Sequence, residues 1–328
     1  MKQRVAYIDI AKAIGITLVI LGHMEISGNL YNYLFSFHMP LFIILSGMVF
    51  KRERIWKNVK VLLISFLSLT IILSVADVIV KWLVKHESID VFTYVKAILG
   101  GAAAPNYRFD PAPAIWFLTA LIIIELFSYL LHFLGRFRWL LIPGLIALGV
   151  VLSFLKENSY IPWNIDAALF LIPFFELGKL SKDWIAKIKI KSLFFALIGL
   201  SALLFLIPLS MLNGAVNIYR CQWGNNLLLY YINSLIGSTA IIFISIGVSS
   251  VPHTKFICWL GKNTVVPMAA HQFILPYAAI IMGYIPYYGR FVFTIIELII
   301  MMTACYLVAW LVGRFCPVIL GKTKKKTA

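Results

Sequence analysis

The sequence predicts an all-α protein threaded repeatedly through a membrane, and three observations carry that prediction. Of 328 residues, 62% are hydrophobic and 13% charged, whereas soluble domains are about half apolar and about a quarter charged. The apolar residues fall into runs, several of them near the roughly 20 residues that span about 30 Å of hydrocarbon at 1.5 Å per residue. The basic residues gather between alternate runs, as the positive-inside bias requires. No stretch is polar enough to form a separate soluble domain, so residues 1–328 read as a single integral-membrane unit and a soluble globular enzyme is excluded. Cys221, Cys258, Cys305 and Cys316 have no CxxC or metal-type spacing, so no disulfide framework follows from them.

About ten spans are expected, near 5–24, 36–50, 61–84, 115–134, 139–155, 165–179, 192–212, 227–249, 263–283 and 291–313. The first carries Asp9 and Lys12, unlike the short uncharged core of a signal peptide, so it is expected to stay in the mature protein. Placing both termini in the cytoplasm puts 21 of the 29 Lys and Arg on the inner side and seven on the outer, with Lys12 inside the first span. Most of the +16 net charge is thereby read as topology, with the tail Lys322 to Lys326 at anionic lipid headgroups. The outer stretch 86–113, with Gly100, Gly101, Pro105, Pro111 and Pro113, is expected to be irregular and is the candidate lid. The inner stretch 179–191 reads as a short interfacial segment.

Charged groups within spans are costly unless paired or facing a cavity. Asp9 and Lys12 stand three apart on the first helix, placed to neutralise each other. His23 follows Lys12 by eleven residues, which returns it to nearly the same face about 16 Å further along the axis. His38 opens the second span beside Pro40, a residue suited to a helix first turn, and the imidazoles of His23 and His38 could face each other. Paired histidines also bind metals, but no acidic or third His ligand stands at a fixed spacing, so no metal is expected. Lys51, Arg52, Glu53 and Arg54, followed by Lys57 and Lys60, suit either inside charge or a phosphate contact, for which the guanidinium fork is the better match. Asp77, Glu125, Asp166, Glu176, His271 and Glu297 are further intramembrane groups, most of which hydrogen bonding between helices would explain.

The chain resembles the acyltransferase 3 family of bacterial membrane acyltransferases, in its fucose 4-O-acetylase-like branch. The resemblance is carried by Tyr7 to Lys12 with Leu21-Gly22-His23, similar to the family's Arg/Lys, ten residues, His pattern. It is also carried by Phe37-His38-Met39-Pro40-Leu41-Phe42 with Ser46-Gly47, Trp116-Phe117-Leu118, Pro173-Phe174-Phe175 with Gly178, and Gly261-Lys262-Asn263-Thr264 leading to His271. It implies transfer of an acetyl group from acetyl-CoA to a hydroxyl of a cell-surface or secreted carbohydrate, at the bacterial inner membrane. Lys12 stands where many members have Arg and lacks the bidentate fork; Arg52 and Arg54 match the family's further basic motif loosely.

On that reading His23, whose ordinary pKa lies near neutrality, is the general base, with an acetylated His23 as a variant. Asp9 and Lys12 balance charge deeper in the pocket, and Lys12, Arg52 and Arg54 meet the CoA. His38 and Trp116 lie on the acceptor's path, Trp116 being also a candidate interface anchor. Asn263 and His271 are further candidates. The partners expected are a carbohydrate, free or lipid-linked, and membrane lipids, with no nucleic acid. The competing classes are a transporter of a small solute or lipid-linked glycan and a sensing or uptake module.

Overall fold

In the computed structural model the described residues are 5–103, 107–156, 161–188 and 191–321. Pro105 and the basic tail 322–326 lie outside them, as do Lys2, Arg4 and Lys189, three of the 21 basic residues placed on the inner side. Among the described residues there is no strand, only an isolated bridge between Asn217 and Gln222. The α-helices are α1 (Ala6–His23), α2 (Gly28–Phe35), α3 (His38–Val49), α4 (Ile55–Val80), α5 (Val91–Leu99), α6 (Trp116–His132), α7 (Arg138–Lys156), α8 (Ile165–Lys187), α9 (Ser192–Asn213), α10 (Leu227–Ser249), α11 (Lys255–Lys262), α12 (Val265–Met282) and α13 (Arg290–Phe315).

Nine helical segments of the described residues are long and apolar enough to cross a membrane. Large apolar side chains such as Leu140, Phe154, Leu204, Leu228 and Phe291 point outward. A water-soluble protein would not carry so many, and hydrocarbon accepts them without cost. The segment expected at 165–179 is helical, as part of α8, but is not among the nine. The whole helix carries Asp166, Glu176, Lys179, Lys182, Asp183 and Lys187, a charge content that is costly in hydrocarbon unless the groups are paired.

Contacts divide the chain into two units. The first comprises Met1–Phe50, Leu171–Ile218 and Gln222–Thr264. Here α1 packs on α10 and α11, and α9 on α10. The span expected to begin at 36 begins at Gly28 and is broken: α2 ends at Phe35 and α3 restarts at His38. A break in a helix at membrane depth exposes backbone carbonyls that water cannot reach, so neighbouring side chains must serve them. Ser234 Oγ of α10 does this for the Ser36 carbonyl, donating at 2.7 Å, while the Phe37 carbonyl accepts from the Leu41 amide at 3.0 Å, with Ser238 Oγ of α10 a second, longer donor at 3.5 Å. Glycines allow the other close approaches. A Cβ on Gly47 would overlap the Phe175 carbonyl and one on Gly178 the Ile44 carbonyl, so α3 and α8 cross backbone to backbone through this reciprocal pair.

The second unit comprises Lys51–Phe170, Tyr219–Cys221 and Val265–Ala328. Within it α4 packs on α6 and α12 on α13. The stretch 86–113 is not irregular throughout, because α5 forms inside it. Asp90 caps α5, accepting from the Phe92 amide at 3.0 Å and from Thr93 Oγ1 at 2.6 Å. The turn that follows is tied down: the Gly101 carbonyl accepts from Thr119 Oγ1 at 2.9 Å and Asn164 Nδ2 at 3.0 Å, and the Gly100 carbonyl from the Trp163 amide at 2.8 Å. Of the expected interfacial segment 179–191, the residues as far as Lys187 are helical and continue α8, in which Glu176 pairs with Lys179.

Candidate functional site

His23 is the last residue of α1 and lies partly exposed. Its Nδ1 is 2.8 Å from the Val19 carbonyl oxygen. A carbonyl only accepts, so Nδ1 carries the hydrogen and Nε2 is the nitrogen that can take up a proton. His38, the first residue of α3, is buried and makes the same bond to the Leu34 carbonyl at 2.8 Å. Both imidazoles pack against Phe35, at ring-centroid distances of 5.3 Å for His23 and 4.6 Å for His38. Tyr31 stacks on the same ring at 3.9 Å. The break after Phe35 therefore does structural work for the site, turning the chain so that Phe35 meets the end of α1 while His38 begins the next helix.

At the other end of α1, Asp9 is buried, with its Oδ2 3.9 Å from Lys262 Nζ. Gly261 makes this meeting possible, since a Cβ there would overlap the Asp9 carbonyl oxygen and hold α11 away from α1. Lys12, half-buried, lies one turn beyond Asp9 on the same helix. Asn263 closes α11, its Nδ2 donating to the Trp259 carbonyl at 2.8 Å. The first unit thus holds Asp9, Lys12, His23, His38 and Asn263.

The remaining candidates belong to the second unit. Arg52 and Arg54 lie exposed in a short 3₁₀ turn that leads into α4. Trp116, the first residue of α6, is buried against Phe117 and Tyr219, with ring centroids at 6.2 and 5.7 Å. Tyr219 donates its hydroxyl to the Ala102 carbonyl at 3.2 Å, and burial raises its phenol above the ordinary range. His271 is fully buried on α12, its Nδ1 3.0 Å from the Pro267 carbonyl and 2.8 Å from that of Met268.

Other intramembrane acids have local explanations. Asp77 accepts from Lys81 Nζ at 2.9 Å and from the Tyr94 hydroxyl. Asp166 accepts from Cys221 Sγ at 3.0 Å, and Glu176 pairs with Lys179 at 2.7 Å. Sequence reasoning assigned no role to Phe35 or Lys262. Phe35 is one aromatic residue in an apolar run and gave no local signal, nor did the partnership of Lys262 with Asp9.

A family model described as an acyltransferase domain matches residues 5–314. Neither a curated protein nor a solved structure matches the chain.

Proposed function

Because the chain belongs to the acyltransferase domain family and is a multi-pass membrane acyltransferase, we propose that it moves an acetyl group from cytoplasmic acetyl-CoA to a hydroxyl of a cell-surface or secreted carbohydrate. The proposal includes membership of the fucose 4-O-acetylase-like branch, residence in a bacterial inner membrane and cytoplasmic termini. The observation that supports the reading is at His23, whose Nδ1 lies 2.8 Å from the Val19 carbonyl oxygen; with the hydrogen on Nδ1, the base role in the proposed step falls to Nε2.

In the proposed step Nε2 takes the proton of the acceptor hydroxyl as its oxygen attacks the thioester carbonyl. Collapse of the tetrahedral intermediate breaks the C–S bond, and the imidazolium returns the proton to the leaving thiolate. The products are the ester and free CoA, with His23 restored. His38 and Trp116 are assigned to the acceptor. Arg52 and Arg54, exposed and cationic, are assigned to the CoA phosphates, which guanidinium groups suit. Asp9, with Lys12 and Lys262 as the cations near it in chain or space, keeps the α1 polar groups balanced in charge. Asn263 and His271 are left with structural roles in this scheme.

The test is acetyl-CoA-dependent O-acetylation of the host's surface glycan, followed by mass spectrometry, with the intact chain and with His23→Ala at equal membrane abundance. Loss of product with His23→Ala is expected. Movement of labelled solute without any requirement for acetyl-CoA would point to a carrier and overturn the proposal.

A further inference from the structure

Within the second unit, a partly open cavity of about 130 Å³ is lined by Lys81, Ser88, Asp90, Thr93, Tyr94, Ala97, Arg108, Phe109, Asp110 and Pro111. None of these residues has a role in the scheme above. Ile55 to Lys81 is 26 residues of helical rise, about 39 Å, so the cavity sits beyond one hydrocarbon thickness from the start of α4. On the proposed topology that is the outer side, where an acceptor arrives.

We propose that this cavity seats one neutral sugar ring of the acceptor, an inference that rests on the acceptor being a carbohydrate. Size is the first argument: a closed cavity of about 150 Å³ holds a benzene ring, and this one, about 130 Å³ and partly open, leaves room for a ring whose substituents point to the opening. Charge is the second. The lining holds two cations, Lys81 and Arg108, and two carboxylates, Asp90 and Asp110. Arg108 Nε is 3.1 Å from Asp110 Oδ1, and Lys81 is held by Asp77 at 2.9 Å and by the Tyr94 hydroxyl at 3.1 Å. An anion or a cation entering here would have to compete with an existing ion pair, whereas a polyol adds hydrogen bonds to both partners without separating them. Surface character is the third argument. The lining combines hydroxyl and charged groups, from Ser88, Thr93, Lys81, Arg108, Asp90 and Asp110, with apolar surface from Tyr94, Ala97, Phe109 and Pro111. A pyranose has the same combination, with hydroxyl edges and C–H faces that pack on aromatic rings.

The experiment uses the full-length chain with a cysteine reporter, Ser88→Cys or, in a second preparation, Thr93→Cys, both at exposed lining positions. The protein is held in nanodiscs of phosphatidylethanolamine and phosphatidylglycerol, free of glycoside detergents that would themselves fill a sugar site. The rate of maleimide modification is followed with glucose, galactose, mannose, rhamnose or N-acetylglucosamine, and with sodium sulfate as the anion. At least one sugar is expected to slow modification of both reporters while sulfate does not. Arg108→Gln should weaken that protection about tenfold, the usual consequence of losing a charge-assisted hydrogen bond. No protection by any sugar, or protection by sulfate alone, overturns the inference. All labelling is done without acetyl-CoA in a His23→Ala background, so it is independent of turnover. Sugar protection in a chain that transfers no acyl group would keep the cavity as a sugar site and remove the transferase scheme; glycan acetylation with no protection would remove the cavity alone.

Discussion

His23 and His271 are held by the same device in different surroundings. Each imidazole has Nδ1 within 3.0 Å of a carbonyl about one turn back on its own helix, so each has Nε2 as its proton-accepting nitrogen. His271 is fully enclosed on α12, while His23 is the final, partly exposed residue of α1 and packs beside a broken helix. The difference teaches that setting a tautomer does not make a base. Any histidine within a helix can donate to a carbonyl behind it; what separates His23 from His271 is partial exposure at the end of its helix, which the proposed base role requires. Ion pairs in the first unit divide in the same way. Glu176 and Lys179 are 2.7 Å apart with side chains 0% and 16% exposed, whereas Asp9 and Lys262 are 3.9 Å apart with Lys262 43% exposed.

The contrast between enclosed and accessible groups breaks most readily at the two histidines. His23→Ala should lower kcat by about 10²–10⁴-fold, the range for removal of a general base, with membrane abundance unchanged. His271→Ala should do the opposite, reducing abundance and Tm while the folded remainder keeps its turnover. Equal losses of turnover in both variants would end the distinction. The next effect is expected at Glu176→Gln. It leaves the nearly buried Lys179 ammonium without that carboxylate, at a cost of about 3 kcal/mol, measured as a fall in Tm of the purified protein. For Asp9 and Lys262 a double-mutant cycle with Asp9→Asn and Lys262→Met should return a coupling below about 1 kcal/mol, because the pair is long and its cation reaches solvent. A coupling as large as the loss at Glu176 would place the two pairs in one class.

These residues also explain what could be read from the sequence. The helix at Leu227–Ser249 coincides with the apolar run at 227–249 because length and hydropathy are local properties, and hydrocarbon thickness selects on both. The break at Ser36 and Phe37 had no such local signature, since the group that serves the Ser36 carbonyl, Ser234, stands in a helix far along the chain. Apolar length suggests a tenth span at 165–179, but the charges of α8 carry it outside the nine apolar candidates. Its acids are served by Lys179 one turn away and by Cys221 from a distant loop, and only the first of these can be seen as a spacing. His23, His38 and Asp9 were legible as polar groups in an apolar setting. Phe35 was not, because an aromatic residue in an apolar run carries no signal of its own until its neighbours are known.

The smallest expected effect extends the contrast to helix ends, where one cap titrates and another does not. Asp90 starts α5, and the Thr93 hydroxyl foremost, with the amides of Phe92 and Thr93, holds its carboxyl below the usual carboxylate range. Asn226 caps α10 with a side-chain amide, accepting from the Leu229 amide at 3.0 Å. A carboxyl whose pKa is lower in the folded chain contributes its stabilisation in full above the unfolded value, and loses it as pH falls through the folded one. Acidification from neutral pH should therefore fray the first turn of α5 and leave that of α10 intact. Hydrogen exchange at the Phe92 and Leu229 amides, each corrected for its intrinsic rate, gives the comparison directly. Asp90→Asn should retain a cap and remove the pH dependence at Phe92; an equal response of both amides to acid would show that the carboxylate is not what holds α5 at its start.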